Sequence, residues 1–139
     1  MLAGLYRTRT PPSEIAELIS GIGWVSQLIA IAGGTDIFGD GASQGAAKDR
    51  VVTIDEVIAR EPDLIIGSWC GKKFRAGDGA ARLRPNSAAQ HRDLNEIKSS
   101  LILHPGPAAL TDGVAELQKI IERWVRRAAD RKRRLPGSV

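Results

Sequence analysis

Apolar residues recur along this chain at intervals that predict alternating helices and strands. Trp24, Val25, Leu28, Ile29 and Ala32 return at the three- and four-residue spacing of one helix face, and Gly33-Gly34 supplies the residues that close a helix in the left-handed conformation. Val51-Val52 reads as a brief strand. Thr53-Ile54-Asp55-Glu56 then forms a capping box: the Thr53 hydroxyl accepts from the Glu56 amide, and the Glu56 carboxylate reaches back to the Thr53 amide. Val52 and Val57 are placed to staple that entry. The helix is expected to run to about Arg60, and Pro62 stops it ahead of Leu64-Ile65-Ile66. Three apolar residues in a row, bounded by Pro62 and Gly67, fit a strand covered on both faces.

A Gly-, Ala- and Asp-rich loop separates the first helix from Val51, running from Gly39 to Ala47. From Arg75 to Arg92 only Leu83 is large and apolar, so this stretch reads as a loop lacking a core of its own, with disorder expected. Leu94, Ile97 and then Leu101-Ile102-Leu103 predict one or two short strands ending at His104-Pro105-Gly106-Pro107. A final helix carries Val114, Leu117, Ile120, Ile121, Trp124 and Val125 on one face, with Glu122 four residues before Arg126 for a favourable surface pair. Past Ala129 the apolar stripe ends, and the basic terminus is expected to fray. This order of elements predicts an α/β fold with a small parallel or mixed sheet and helices packed on it. No internal repeat is evident.

Length and composition narrow the class. A chain of 139 residues has room for one core and little more, and its 42% hydrophobic and 26% charged content is ordinary for a globular domain. Aromatic residues make up only 4%, so each of the three Trp merits attention. The formal charge of +4 is concentrated near the C-terminus, in Arg123, Arg126, Arg127, Arg131, Lys132, Arg133 and Arg134. Cys70 is the single cysteine, which excludes an intramolecular disulfide and a cysteine-rich metal site. Met1 to Thr10 lacks the continuous apolar core of a signal peptide, and no apolar run approaches membrane-spanning length, so the chain as written is expected to stay in the cytoplasm.

Five segments together resemble one family. They are Ile19 to Gly34, Ala47 to Arg50, Val52 to Val57 with Pro62 to Ile66, Gly67 to Phe74, and Asn95 to Ser99 through Leu103 to Gly113. In this order they resemble the C-terminal lobe of the iron-complex and cobalamin-type periplasmic substrate-binding proteins of ABC importers. The resemblance implies a Rossmann-like three-layer lobe forming one side of a ligand cleft, with no enzymatic activity and no cofactor beyond the carried metal chelate. It also implies a periplasmic location and an ABC permease as partner. Nucleic acid and membrane insertion are not expected. The division it implies is an irregular segment at 1–18, a single α/β lobe at 19–125 and a basic frayed tail at 126–139. No first lobe, linking helix or signal peptide is recognisable before Ser13, so a truncated or frame-disrupted copy is expected. Ser13 to Glu17 and Arg75 to Arg92 depart from the family pattern.

Candidate contacts gather on the loops that leave these elements. Ligands of open α/β sheets sit at the carboxyl ends of the strands, which is where Trp69, Cys70 and Gly71 follow the Leu64 to Ile66 run. Trp24, after a Gly-x-Gly turn, either offers its indole face to a broad apolar ligand or anchors its helix in the core. Cys70 beside Lys72 and Lys73 has the surroundings of a reactive thiol, but no base is placed beside it, and a small side chain at a tight loop explains it as well. His104 is either a metal ligand or a loop residue. Pro105-Gly106-Pro107 fixes a rigid helix entry whose free amides would suit an anionic group, or serves as an entry alone. Asp55 matches the acidic residue by which such lobes dock on the permease, and equally fits a first-turn carboxylate facing the helix dipole. The basic tail reads as a solvated end or as a nucleic-acid footprint. A small cytoplasmic thiol-dependent enzyme, or a nucleic-acid-binding module using that tail, is the competing reading.

Overall fold

A computed structural model describes residues 2–3, 18–19, 21–40, 46, 49, 51–68, 91 and 93–134. These form strand β1 (Leu2–Ala3), strand β2 (Leu18–Ile19), helix α1 (Gly23–Ile31), strand β3 (Val51–Val52), helix α2 (Ile54–Arg60), strand β4 (Ile65–Gly67), strand β5 (Leu94–Glu96), the short helix α3 (Ser99–Ile102), a π-helical turn (Ala109–Gly113) and helix α4 (Val114–Arg134). The fold is mixed helix and strand with a small parallel sheet.

β4 lies at the centre of that sheet. It pairs in parallel with β1 on one side, Leu2 opposite Ile65, and in parallel with β5 on the other, Ile65 opposite Leu94. A separate antiparallel pair joins β2 to β3, Leu18 opposite Val52. Because side chains alternate along a strand, the apolar run at β4 feeds two cores. Leu64 and Ile66 join Val25, Leu28 and Ile29 of α1 and Leu117 and Ile120 of α4 on one face. Ile65 packs with Phe38, Val52 and Val57 on the other. Ile65 and Ile66 are both fully buried, as the uninterrupted apolar run predicts.

Local signals set the helix ends. The Thr53 hydroxyl accepts from the Glu56 amide at 3.2 Å and the Glu56 carboxylate accepts from the Thr53 amide at 2.7 Å, completing the capping box at α2. Val52 and Val57 are buried in one cluster beside it, as expected of a staple. α2 ends at Arg60, where Glu61 takes a left-handed backbone (φ 45°) directly before Pro62. α1 closes at Gly33, with φ 95°, a conformation glycine adopts without strain. The Arg60 guanidinium donates to the Ile37 carbonyl, pairs with Asp40 at 3.1 Å and lies 4.5 Å over the Phe38 ring, fastening the segment after α1 to α2.

Three expectations require correction. Leu101-Ile102-Leu103 is not strand: the Leu101 amide donates to the Lys98 carbonyl (2.9 Å) and the Leu103 amide to the Ser99 carbonyl (2.8 Å), closing a helical turn that buries Ile102 and Leu103. A three-residue apolar run carries no period with which to tell the two apart. The segment at 1–18 is not irregular throughout, since Leu2–Ala3 extends the sheet beside β4. The basic tail does not fray from Ala129 to Arg134, because α4 continues to Arg134. Its last turns are held from outside the apolar stripe: Arg127 and Arg131 reach Asp93, at the root of β5, at 2.8 and 3.2 Å. The expected loops at 39–47 and 75–92 fall almost wholly outside the described residues.

Candidate functional site

One stripe of α1 runs from the edge of the core to the surface. Trp24, Gln27, Leu28 and Ile31 follow one another at i, i+3, i+4 and i+7, which sets them along a single stripe of the helix. Opposite this stripe lies the turn from Pro105 to Pro107, continued by Ala109 and Leu110 of the π-helical turn. The two walls enclose a groove of about 440 Å³. Trp24 and Pro105-Gly106-Pro107, candidates separated by some eighty residues of sequence, therefore share one site.

The indole of Trp24 both anchors and lines. Its Nε1–H donates to the Ile102 carbonyl at 3.1 Å, tying α1 to α3, while 38% of the residue stays exposed. Ile31 is 60% and Leu110 65% exposed. These three account for most of the large hydrophobic residues left open among the described residues, the others being Val51 and Val125. Apolar exposure concentrated in one concave place marks a binding surface more often than chance scatter does. The pattern along the sequence could have revealed Ile31, which continues the Trp24 stripe by one further turn. Nothing in the sequence marked Gln27 or Leu110.

Gly113 sets the far wall. A Cβ there would lie 2.4 Å from the Leu101 carbonyl oxygen, so the π-helical turn crosses α3 at a distance only glycine permits. Thr111 reinforces the bend, its hydroxyl donating to the Pro107 carbonyl at 3.1 Å. Three of the five residues at this entry have no free amide. Pro105 and Pro107 carry no N–H, and the Ala109 amide is engaged by the Gly106 carbonyl at 3.1 Å. The side chains at Pro105-Gly106-Pro107 thus form a mostly apolar wall, with the Gly106 and Ala108 amides as its remaining donors.

Of the remaining candidates, His104 and Asp55 do not line the groove. His104 is exposed, its Nδ1 3.4 Å from the Ser99 carbonyl, and no group of three or more metal-capable side chains occurs among the described residues. Asp55 is exposed in the first turn of α2 and unencumbered by the capping box. Glu56 is engaged there, and hydrogen bonds from the Thr53 backbone and hydroxyl hold its pKa below the usual glutamate value. Trp69, Cys70 and Gly71 lie outside the described residues.

A polar feature that sequence reading missed sits on the sheet face toward α4. Asp93, fully buried, faces the guanidiniums of Arg127 and Arg131, which approach off the hydrogen-bonding direction, so the contact is a charge pair. Two of the seven cations of the basic terminus thereby pair with a buried carboxylate from partly exposed positions. No helix among the described residues is long and apolar enough to cross a membrane. Comparison of the chain with known protein families, with curated proteins and with solved structures finds no match.

Proposed function

We propose that this chain is a ligand-binding lobe of the substrate-binding component of an ABC importer, non-enzymatic, with a cobalamin-like or other metal-chelate ligand as its cargo. In this reading the parallel sheet, with cores on both faces of β4, is the centre of a small Rossmann-like three-layer lobe. The observation that carries the reading is the groove: Trp24 and Pro105-Gly106-Pro107, each singled out by its place in a family-like segment, line the same concavity. An indole tethered at its N–H edge presents its face to the broad apolar rim of a macrocycle. Asp55, exposed on α2, is the contact offered to the permease, and the working location is the periplasm.

Such a cleft closes on its ligand from two sides, and the groove supplies one. If a complete site of about micromolar affinity gains roughly −8 kcal/mol, a single wall providing half of that holds ligand at about millimolar concentration. Titration of the chain with cobalamin, followed by intrinsic tryptophan fluorescence, is expected to show quenching that saturates only near that range. Saturation at low micromolar concentration would show one lobe to be sufficient, and absence of any saturable change would remove the proposed cargo.

A further inference from the structure

We infer that the groove selects an uncharged apolar group bearing one hydrogen-bonding function, which Gln27 receives. This rests on the groove being a ligand site, as proposed above, and narrows what that site accepts. Among the described residues its lining is Trp24, Leu28, Ile31, the two prolines, Gly106, Ala109 and Leu110, with Gln27 as the one polar side chain. Among the described residues no cation lines it, and at its helix entry two residues lack an N–H while the Ala109 amide already serves the Gly106 carbonyl. An anionic group placed there would lose water and meet no compensating charge, which disfavours it strongly. The Gln27 side chain is exposed, and its amide has no partner among the described residues. A primary amide offers a donor and an acceptor, so it suits a carbonyl, carboxamide or hydroxyl on a ligand that is otherwise hydrocarbon. A volume of about 440 Å³ is that of a small-molecule pocket rather than of a peptide-binding surface.

Two naphthalene dyes of similar size separate the alternatives: neutral 6-propionyl-2-dimethylaminonaphthalene, which has one carbonyl, and anionic 8-anilinonaphthalene-1-sulfonate. The neutral dye is expected to bind the full chain saturably with a blue-shifted emission, about tenfold more tightly than the sulfonate, the scale on which a site discriminates by one unmatched polar group. Gln27→Leu should weaken the ketone dye about fivefold and leave its 6-propyl analogue, which lacks the carbonyl, unchanged. Leu110→Glu should abolish binding of the neutral dye with no change in melting temperature, because the replaced side chain is exposed. Equal or tighter binding of the sulfonate, loss of both dyes alike in Gln27→Leu, or no binding of the neutral dye overturns the inference. Neutral-dye binding in a chain that ignores cobalamin would leave this inference standing while the importer reading falls.

Discussion

The two ends of α4 are held to the body of the protein by opposite chemistry. At its start the π-helical turn lies against α3 through Gly113 and hands over to Val114, Leu117 and Ile120, a seam of hydrocarbon and backbone with no charge in it. At its far end the apolar stripe has run out, and Arg127 and Arg131 close on the buried carboxylate of Asp93. The first attachment leaves an apolar groove beside it and the second leaves a half-satisfied ionic cluster, so ligand-like space and structural charge are segregated along one helix. Burial by shape tolerates an open concavity; a buried carboxylate does not tolerate the loss of its cations.

The largest expected effect tests the ionic end. Removing both cations, Arg127→Ala with Arg131→Ala, strands Asp93 in the interior and should cost about 3 kcal/mol, the low end for an unpaired buried charge because the truncated arginines let some water in. Asp93→Asn removes the charge instead and should cost only about 1–2 kcal/mol, since guanidiniums with side chains 45% and 32% exposed remain hydrated. Chemical denaturation of the two variants decides the order; equal costs would mean that Asp93 is not desolvated. At the apolar end, Gly113→Val should cost about 1–3 kcal/mol through overpacking against the Leu101 carbonyl. It should also widen the groove, read as weakened binding of the neutral dye.

Smaller effects calibrate the comparison outside α4. Thr53→Ala should cost about 1 kcal/mol by loss of the helix cap. Because the folded pKa of Glu56 is lowered, its contribution is present above the usual glutamate range and is lost as the pH falls through that range to the folded value. Glu56→Gln should therefore flatten the acid limb of the stability profile, whereas Thr53→Ala, which keeps the larger backbone hydrogen bond to Glu56, should flatten it only in part; an unchanged limb in Glu56→Gln would contradict the capping geometry. Glu122→Gln should be the least costly, at most about 0.5 kcal/mol, as its pair with Arg126 is 3.8 Å long and exposed on both sides.

Legibility followed the range of the interaction. The capping box, the left-handed closure at Gly33 and the doubly buried β4 were all readable, because each is written in residues within a few positions of one another. The apolar stripe of α4 was readable for the same reason, but its true length was not: the contact that prolongs it joins Asp93 to residues more than thirty positions away. Leu101 to Leu103 was misread because three apolar residues have no period. Of the site, Trp24 and Pro105 to Pro107 stand in motif-like segments of the sequence, whereas Gln27 and Leu110 belong to it only because α1 and the π-helical turn face each other.

Nuclear magnetic resonance of the isotope-labelled chain during cobalamin addition tests the central claim most directly, because the Trp24 indole N–H and the Gly106 amide report from the two walls of the groove. The account predicts that both resonances shift together along one saturation curve with a dissociation constant near millimolar, while the amides of 127–134 stay fixed. Shifts confined to α4 beyond Trp124, or movement of the Trp24 signal without that of Gly106, would contradict a single ligand site built from these two segments.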